Sequence, residues 1–225
     1  MPETFALNTV LSSLPQQSLR GRLVSLEPLS QSHANELLPI VSNKAIWQFL
    51  TTDASTKISL DAYIAAALKD RDEGTAAPYV VRCLGMASLV GCTRLKDYST
   101  KHRRVTIGSW FVPAVWGKGP NIESKFLLLT LAFEQIHCER VEFHTDSRNL
   151  RSRAALNALG AVEEGILRSY AETRYEDGGR RDEVVFGLLR GEWSVTKQRL
   201  LGRLEAILQA RYSGNAKTDP FEKSG

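Results

Sequence analysis

The residues Gly117-Lys118-Gly119-Pro120-Asn121 stand between a strand-like run and a long apolar, helix-like run. Glycine lets a backbone approach a ligand closely, and the first N–H groups of a helix carry partial positive charge that suits phosphate oxygens. Pro120 fits the first helical turn, where its missing N–H costs nothing. Lys118 adds a cation for a diphosphate. The spacing is neither GxxxxGK[ST] nor GxGxxG, so neither of those nucleotide loops is present. A purely structural turn has the same spelling, and the loop alone does not decide between the two.

Other residues with chemistry to offer follow it. Glu142 and His144 share one face of the run Arg140 to Thr145, with Phe143 and Thr145 on the other, and an imidazole titrates near neutrality. Arg148, Arg151 and Arg153 form a basic cluster, and Lys101 to Arg104 is a second basic run; a solvated face is the alternative for each. Asp182 beside Arg181 reads as an ion pair. Cys83, Cys92 and Cys138 are odd in number and lack a CxxC pair, which argues for buried thiols over disulfides or a metal site.

Elements must position these groups. Residues 1–20 show no sustained period and read as a flexible lead-in. Arg22 to Leu26 alternates as a strand, Ser30 caps a helix through Leu38, and a helix follows Ser59, with Leu60, Ile64 and Leu68 four apart, ending at Gly74. Three β-branched and aromatic runs then read as consecutive strands, AAPYVVRCL, SLVGCTRLKDY and RRVTIGSWFV. The helix after Pro120 has Ile122, Phe126, Leu129, Phe133 and Ile136 on one face. A strand over Arg140 to Thr145, a helix closed by Gly160, strands near 161–167 and 183–189 around a charged loop (168–182), and a final helix over 192–212 complete the domain (21–212). The tail (213–225) is polar and reads as disordered. The expected fold is a mixed α/β, mostly antiparallel sheet flanked by helices.

The 225 residues carry 29 basic and 25 acidic side chains, a net charge of +4, too slight to predict a nucleic-acid surface. Apolar runs fall far short of the roughly 20 residues a membrane helix requires, and the N-terminus shows no basic, apolar leader. Cytoplasm is the expected compartment.

From Thr106 to Gly119 the string TIGSWFVPAVWGKG resembles the strand-loop-helix signature of the GCN5-related N-acetyltransferases, E-I-G-Y-W-hydrophobic-hydrophobic-P-x-Y-R-G-K-G. NLRSRAALNALGA resembles that family's later N-x-x-A/S…L-G segment, with Asn149, Ser152 and Gly160 in register. Arg181-Asp182 and Glu192-Trp193 are similar to features of the branch of ribosomal-protein N-terminal acetyltransferases. The loop departs from the family's Q/R-x-x-G-x-G/A pattern at Trp116 and Asn121.

The resemblance implies acetyl-coenzyme A as cosubstrate and no metal. Its diphosphate would lie on Trp116, Gly117, Lys118, Gly119 and Asn121. Its pantetheine arm would run in a splay between the strand ending at Phe111 and Val112 and the strand Arg140 to Thr145, with Asn149 and Ser152 on the far side. Asn149 as the cap of its own helix is the alternative. The acceptor would be a primary amine, on a small molecule or a protein N-terminus, and a homodimer is compatible with this. The family's Glu base and Tyr acid correspond to Thr106 and Leu156, which cannot serve. His144 and Glu142 are the weak catalytic candidates, a backbone N–H near Val112 is the oxyanion donor, and an amine arriving neutral requires no base. A catalytically quiet acyl-CoA-binding module is the competing reading.

Overall fold

The computed structural model describes residues 17–172 and 179–215; most of the expected lead-in (1–16), the middle of the charged loop (173–178) and the tail from 216 lie outside the described residues. Strands β1 (Leu19–Arg20), β2 (Val24–Pro28), β3 (Ala76–Cys83), β4 (Ser88–Ser99) and β5 (Arg104–Phe111) pair antiparallel in succession. Strand β6 (Arg140–Asp146) joins β5 in parallel, and β7 (Val162–Glu172) takes the far edge outside β8 (Arg180–Leu189), which pairs with β6. The sheet order is β1-β2-β3-β4-β5-β6-β8-β7. The expected mixed, mostly antiparallel sheet is the one observed.

Helices cover both faces. Alternation along β3 sends Ala77, Tyr79 and Val81 toward α3 (Pro120–Thr130) and α5 (Trp193–Asn215), where Leu128, Leu129, Leu200 and Leu204 are buried with them. Val80 faces the other side, against Leu37 and Val41 of α1 (Ala34–Val41) and Leu60 and Ile64 of α2 (Lys57–Asp72). Two cores thus sandwich one sheet, the layering such amphipathic elements favour. Helix α4 (Leu150–Leu159) follows β6 and stops at Gly160, whose φ of 109° is a left-handed conformation suited to glycine.

Four expectations shift. Helix α2 begins before Ser59: Thr56 is the cap, its Oγ1 accepting from Ser59 N at 3.2 Å while Ser59 Oγ accepts from Thr56 N at 3.1 Å. The charged loop is shorter than 168–182, because Ala171 and Glu172 pair with Arg181 and Arg180 in the β7–β8 ladder. The lead-in contributes strand β1, and α5 continues to Asn215.

Helix α3 differs most from its periodicity. Ile122 and Phe126 are only partly buried, while Glu123, Ser124 and Lys125 turn inward. The Glu123 carboxylate accepts from the backbone N–H groups of Arg22, Leu23 and Val24 at 2.9, 2.6 and 2.8 Å. Charge-assisted bonds of this kind are strong, and here they fasten the start of β2 to the first turn of α3. The helix then passes into a π-helical turn at Leu131–Gln135, which resets the apolar face before β6.

Candidate active site

Strands β5 and β6 part company halfway. Their parallel register runs only through Arg104↔Arg140, Val105↔Val141 and Thr106↔Glu142. Beyond it each strand is held by its outer neighbour, β5 to β4 through Gly91↔Phe111 and β6 to β8 through Asp146↔Glu183. The result is a V whose inner edges have no strand between them. Val112 N–H is committed to Val90 carbonyl at 2.9 Å, so an oxyanion donor near Val112 would have to be a neighbouring amide. Successive residues present their hydrogen-bonding groups to opposite edges, so Phe111 turns its own N–H into the V, where its carbonyl accepts Trp116 Nε1 at 2.8 Å.

Two cavities meet at this opening. One, of about 240 Å³, is bordered by Phe111, Trp116, Gly117, Asn121, Asn149 and Arg151. The other, of about 200 Å³, is bordered by Tyr63, Arg94, His144, Arg181 and Glu183, together with the segment Leu50 to Thr52 between α1 and α2. Their shared wall consists of Leu50, Ser109, Trp110, Lys125, Ser152 and Leu156.

On the first side, Phe111, Trp116, Gly117, Asn121, Asn149 and Ser152 border one cavity. Lys118 and Gly119 do not border the cavity: Lys118 N–H closes a turn onto Val115 carbonyl at 3.1 Å, and a Cβ on Gly119 would lie 2.7 Å from Leu23 Cδ1. Gly119 caps α3 with φ of 105°, leaving the N–H groups of Asn121 and Ile122 as the unpaired helix-start donors. Asn149 caps α4, its Oδ1 accepting from Ser152 N at 3.1 Å. Arg151 stacks on Trp116 at 3.2 Å from the ring centroid, and burial lowers its pKa. Its neighbours face elsewhere, Arg148 to Asp146 and Arg153 to Glu163. In the run Lys101 to Arg104, Arg103 pairs with Glu139 and Arg104 with Glu142.

On the second side, His144 lies between two carboxylates, with Nε2 3.5 Å from Glu142 and Nδ1 3.6 Å from Glu183. Glu142 borders neither cavity. Burial would raise its pKa, but the hydrogen bond and charge of Arg140, with His144 and Arg104, prevail and hold it low. A carboxylate so stabilised is a poor base. Arg181 pairs with Glu183 and donates to Phe49 carbonyl at 2.7 Å, whereas Asp182 accepts from Ser169 N; the expected Arg181–Asp182 pair is replaced. Trp110 is core and wall at once, 5.2 Å from Trp47 by ring centroids and donating to Tyr63 Oη at 3.2 Å. The three thiols are buried and free.

Sequence reasoning missed Lys125. Its Nζ donates to Ser109 Oγ at 2.8 Å and Asn121 Oδ1 at 2.9 Å, and burial pulls its pKa down to about 8. No local signal marks it, since a lysine four residues beyond Asn121 reads as an ordinary exposed helix position. Among the described residues no group of three or more His, Cys, Asp or Glu side chains could hold a metal ion, and no helix is long and apolar enough to cross a membrane.

The family model for the acetyltransferase (GNAT) domain matches residues 23–162. The chain belongs to the GNAT acetyltransferase family. YdaF of Bacillus subtilis (strain 168), provisionally named a ribosomal N-acetyltransferase, is 33% identical over 110 residues, 49% of this chain and 58% of that protein. A protein of T. thermophilus, provisionally described as an acetyltransferase, superposes with a TM-score of 0.74 at 35% identity, over 84% of this chain and 97% of its own. Mycobacterium smegmatis RimJ, solved in complex with CoA-disulfide, shares the fold with a TM-score of 0.70 at 21% identity, over 83% of this chain and 91% of its own. GNAT enzymes use acetyl-CoA. The V between β5 and β6, the helix-start amides and the Arg151–Trp116 stack suit an arm with two amides ending in phosphates.

Proposed function

We propose that this GNAT enzyme transfers the acetyl group of acetyl-CoA to a primary amine, on a protein N-terminus or a small molecule, by direct attack while both substrates are bound. The observation that carries the reading is the V between β5 and β6, opening on both sides into cavities with one common wall. A pantetheine amide can complete the ladder at Phe111 N–H. The N–H groups of Asn121 and Ile122 and the Arg151 guanidinium supply positive charge for the diphosphate. Gly117 and Asn149 border the same space, and Ser152 stands where the two cavities meet.

The amine would enter from the cavity of Tyr63, His144 and Glu183 and arrive neutral, with water taking its proton. Burial raises the Tyr63 phenol far above neutrality, so it serves as a hydrogen-bonding wall and not as a base. The name of the Bacillus subtilis relative favours a protein N-terminus within this class. Calorimetry with coenzyme A, followed by thiol release and product mass with a panel of amines and ribosomal-protein N-terminal peptides, tests the reading. Coenzyme binding and a product heavier by one acetyl group are expected. Coenzyme binding without turnover across the panel would favour the acyl-CoA-binding module, and absence of binding would overturn both.

A further inference from the structure

Lys125 is a buried cation at the junction of the two cavities. It projects from the second turn of α3 into the shared wall of the two cavities and is 8% exposed. Of the six side chains in that wall it alone is ionisable. Its partners, Ser109 and Asn121, are neutral, and the Phe143 ring lies 5.9 Å from Nζ. Desolvating a cation against neutral partners is unfavourable, and an aliphatic side chain would fill the same space without that loss. An ammonium has three donors; two are used, and one is left to the cleft.

Its surroundings leave the cation available. In the amine-side cavity Arg94 is paired with Asp70, Lys96 with Asp97, and Arg181 with Glu183, while His144 stands between Glu142 and Glu183. Arg151, in the coenzyme-side cavity, stacks on Trp116 and is given above to the diphosphate. The nearby Val112 amide is held by Val90 carbonyl and is not free for an oxyanion.

We propose that Lys125 is the catalytic cation of the transfer, its ammonium facing the thioester oxygen and then protonating the departing sulfur. The inference rests on the acetyl-CoA reading above. The amine lone pair forms the C–N bond as the carbonyl π pair moves onto oxygen beside Nζ. That pair returns to carbon as the C–S bond breaks with its electrons on sulfur, and Nζ gives sulfur a proton. The proton lost by the amine nitrogen reaches neutral Nζ through water, restoring the ammonium, so amine and thioester become amide and thiol. A group that titrates at about 8 holds its proton at neutral pH and releases it readily.

The test reads the thiol of bound coenzyme A by its thiolate absorbance across pH, in the wild type and in Lys125→Met. In the wild-type complex the thiol titrates below free coenzyme A, and in K125M that lowering is lost, about a tenfold change in thiolate stability. Coenzyme A lacking its sulfur binds both proteins alike. With an amine acceptor, kcat of K125M falls about 100-fold while KM for acetyl-CoA changes little; Lys125→Arg restores part of both signals. Should K125M fail to fold, Lys125→Gln gives the same comparison. A bound thiol that titrates identically in wild type and variant overturns the proposal alone. Failure of the wild type to bind coenzyme A overturns it together with the reading beneath it.

Discussion

The two cavities are built by different means. The cavity proposed for the coenzyme uses near neighbours: Trp116 Nε1 reaches Phe111 carbonyl five residues away, and Asn149 caps the amide of Ser152 three residues on. The amine-side cavity is closed by side chains brought from far apart, Arg181 onto Phe49 carbonyl across 132 residues and Trp110 onto Tyr63 across 47. Short-range contacts and a helix start can be kept with other side chains, and Trp116 and Asn121 depart from the family's spelling and still border this cavity. A site made from side-chain contacts is only as good as its packing. Its specificity can therefore change without disturbing the coenzyme site.

Arg181→Ala is the strongest way to break this contrast. It leaves the Glu183 carboxylate buried without its cation and frees Phe49 carbonyl, so stability falls by about 3 to 5 kcal/mol. Replacing Arg181 and Glu183 together by Met and Leu costs less than the single change, and urea unfolding of both variants checks it. Equal losses would mean that the pair is not acting as a buried couple. Coenzyme affinity of the folded fraction should stay within about twofold.

Lys125, at the junction, gives the next largest effect. Its pKa of about 8 lies below the ordinary 10.5, so the unfolded chain binds this proton more tightly than the folded protein. Between those two values the unfolded state carries more protons, and stability must rise with pH across the window. Up to about 3 kcal/mol separates the two ends. The wild type should gain on K125M between pH 8 and 10.5 and trail it at neutral pH. A gap independent of pH would place Lys125 in water.

How much of this was legible follows from the same contrast. Strands β3 to β5, each a run of alternating or β-branched residues between turn formers, stand close to where their spelling puts them, because both faces of the sheet are buried. The start of α3 was readable because Pro120 fits a first helical turn and Gly119 can take a positive φ before it. What failed was α3, where Glu123 and Lys125 turn inward for partners on β2 and β5 that no local pattern announces. Arg181 failed for the same reason: adjacency suggested Asp182, but in a strand neighbours point to opposite faces, and the residue two along, Glu183, shares its side.

The coenzyme side should give smaller, separable effects. Trp116→Ala removes the Arg151 stack and the bond to Phe111 carbonyl; such a contact is worth about 1 kcal/mol or more, so coenzyme affinity falls about tenfold with acceptor KM little changed. Equal loss in both would join the two cavities into one unit. The two glycines of the loop then divide scaffold from site. Both have positive φ, 74° at Gly117 and 105° at Gly119, so alanine at either carries a strain of about 1 to 2 kcal/mol. Only at Gly119 does the added Cβ also meet Leu23 and Ile207, at 2.7 and 3.2 Å, so Gly119→Ala should lose more stability by thermal unfolding. Gly117→Ala meets nothing within 4 Å but borders the cavity, so its larger effect should be on coenzyme binding. If Gly119→Ala weakened binding more than Gly117→Ala at equal stability, the diphosphate would lie nearer the helix cap than proposed.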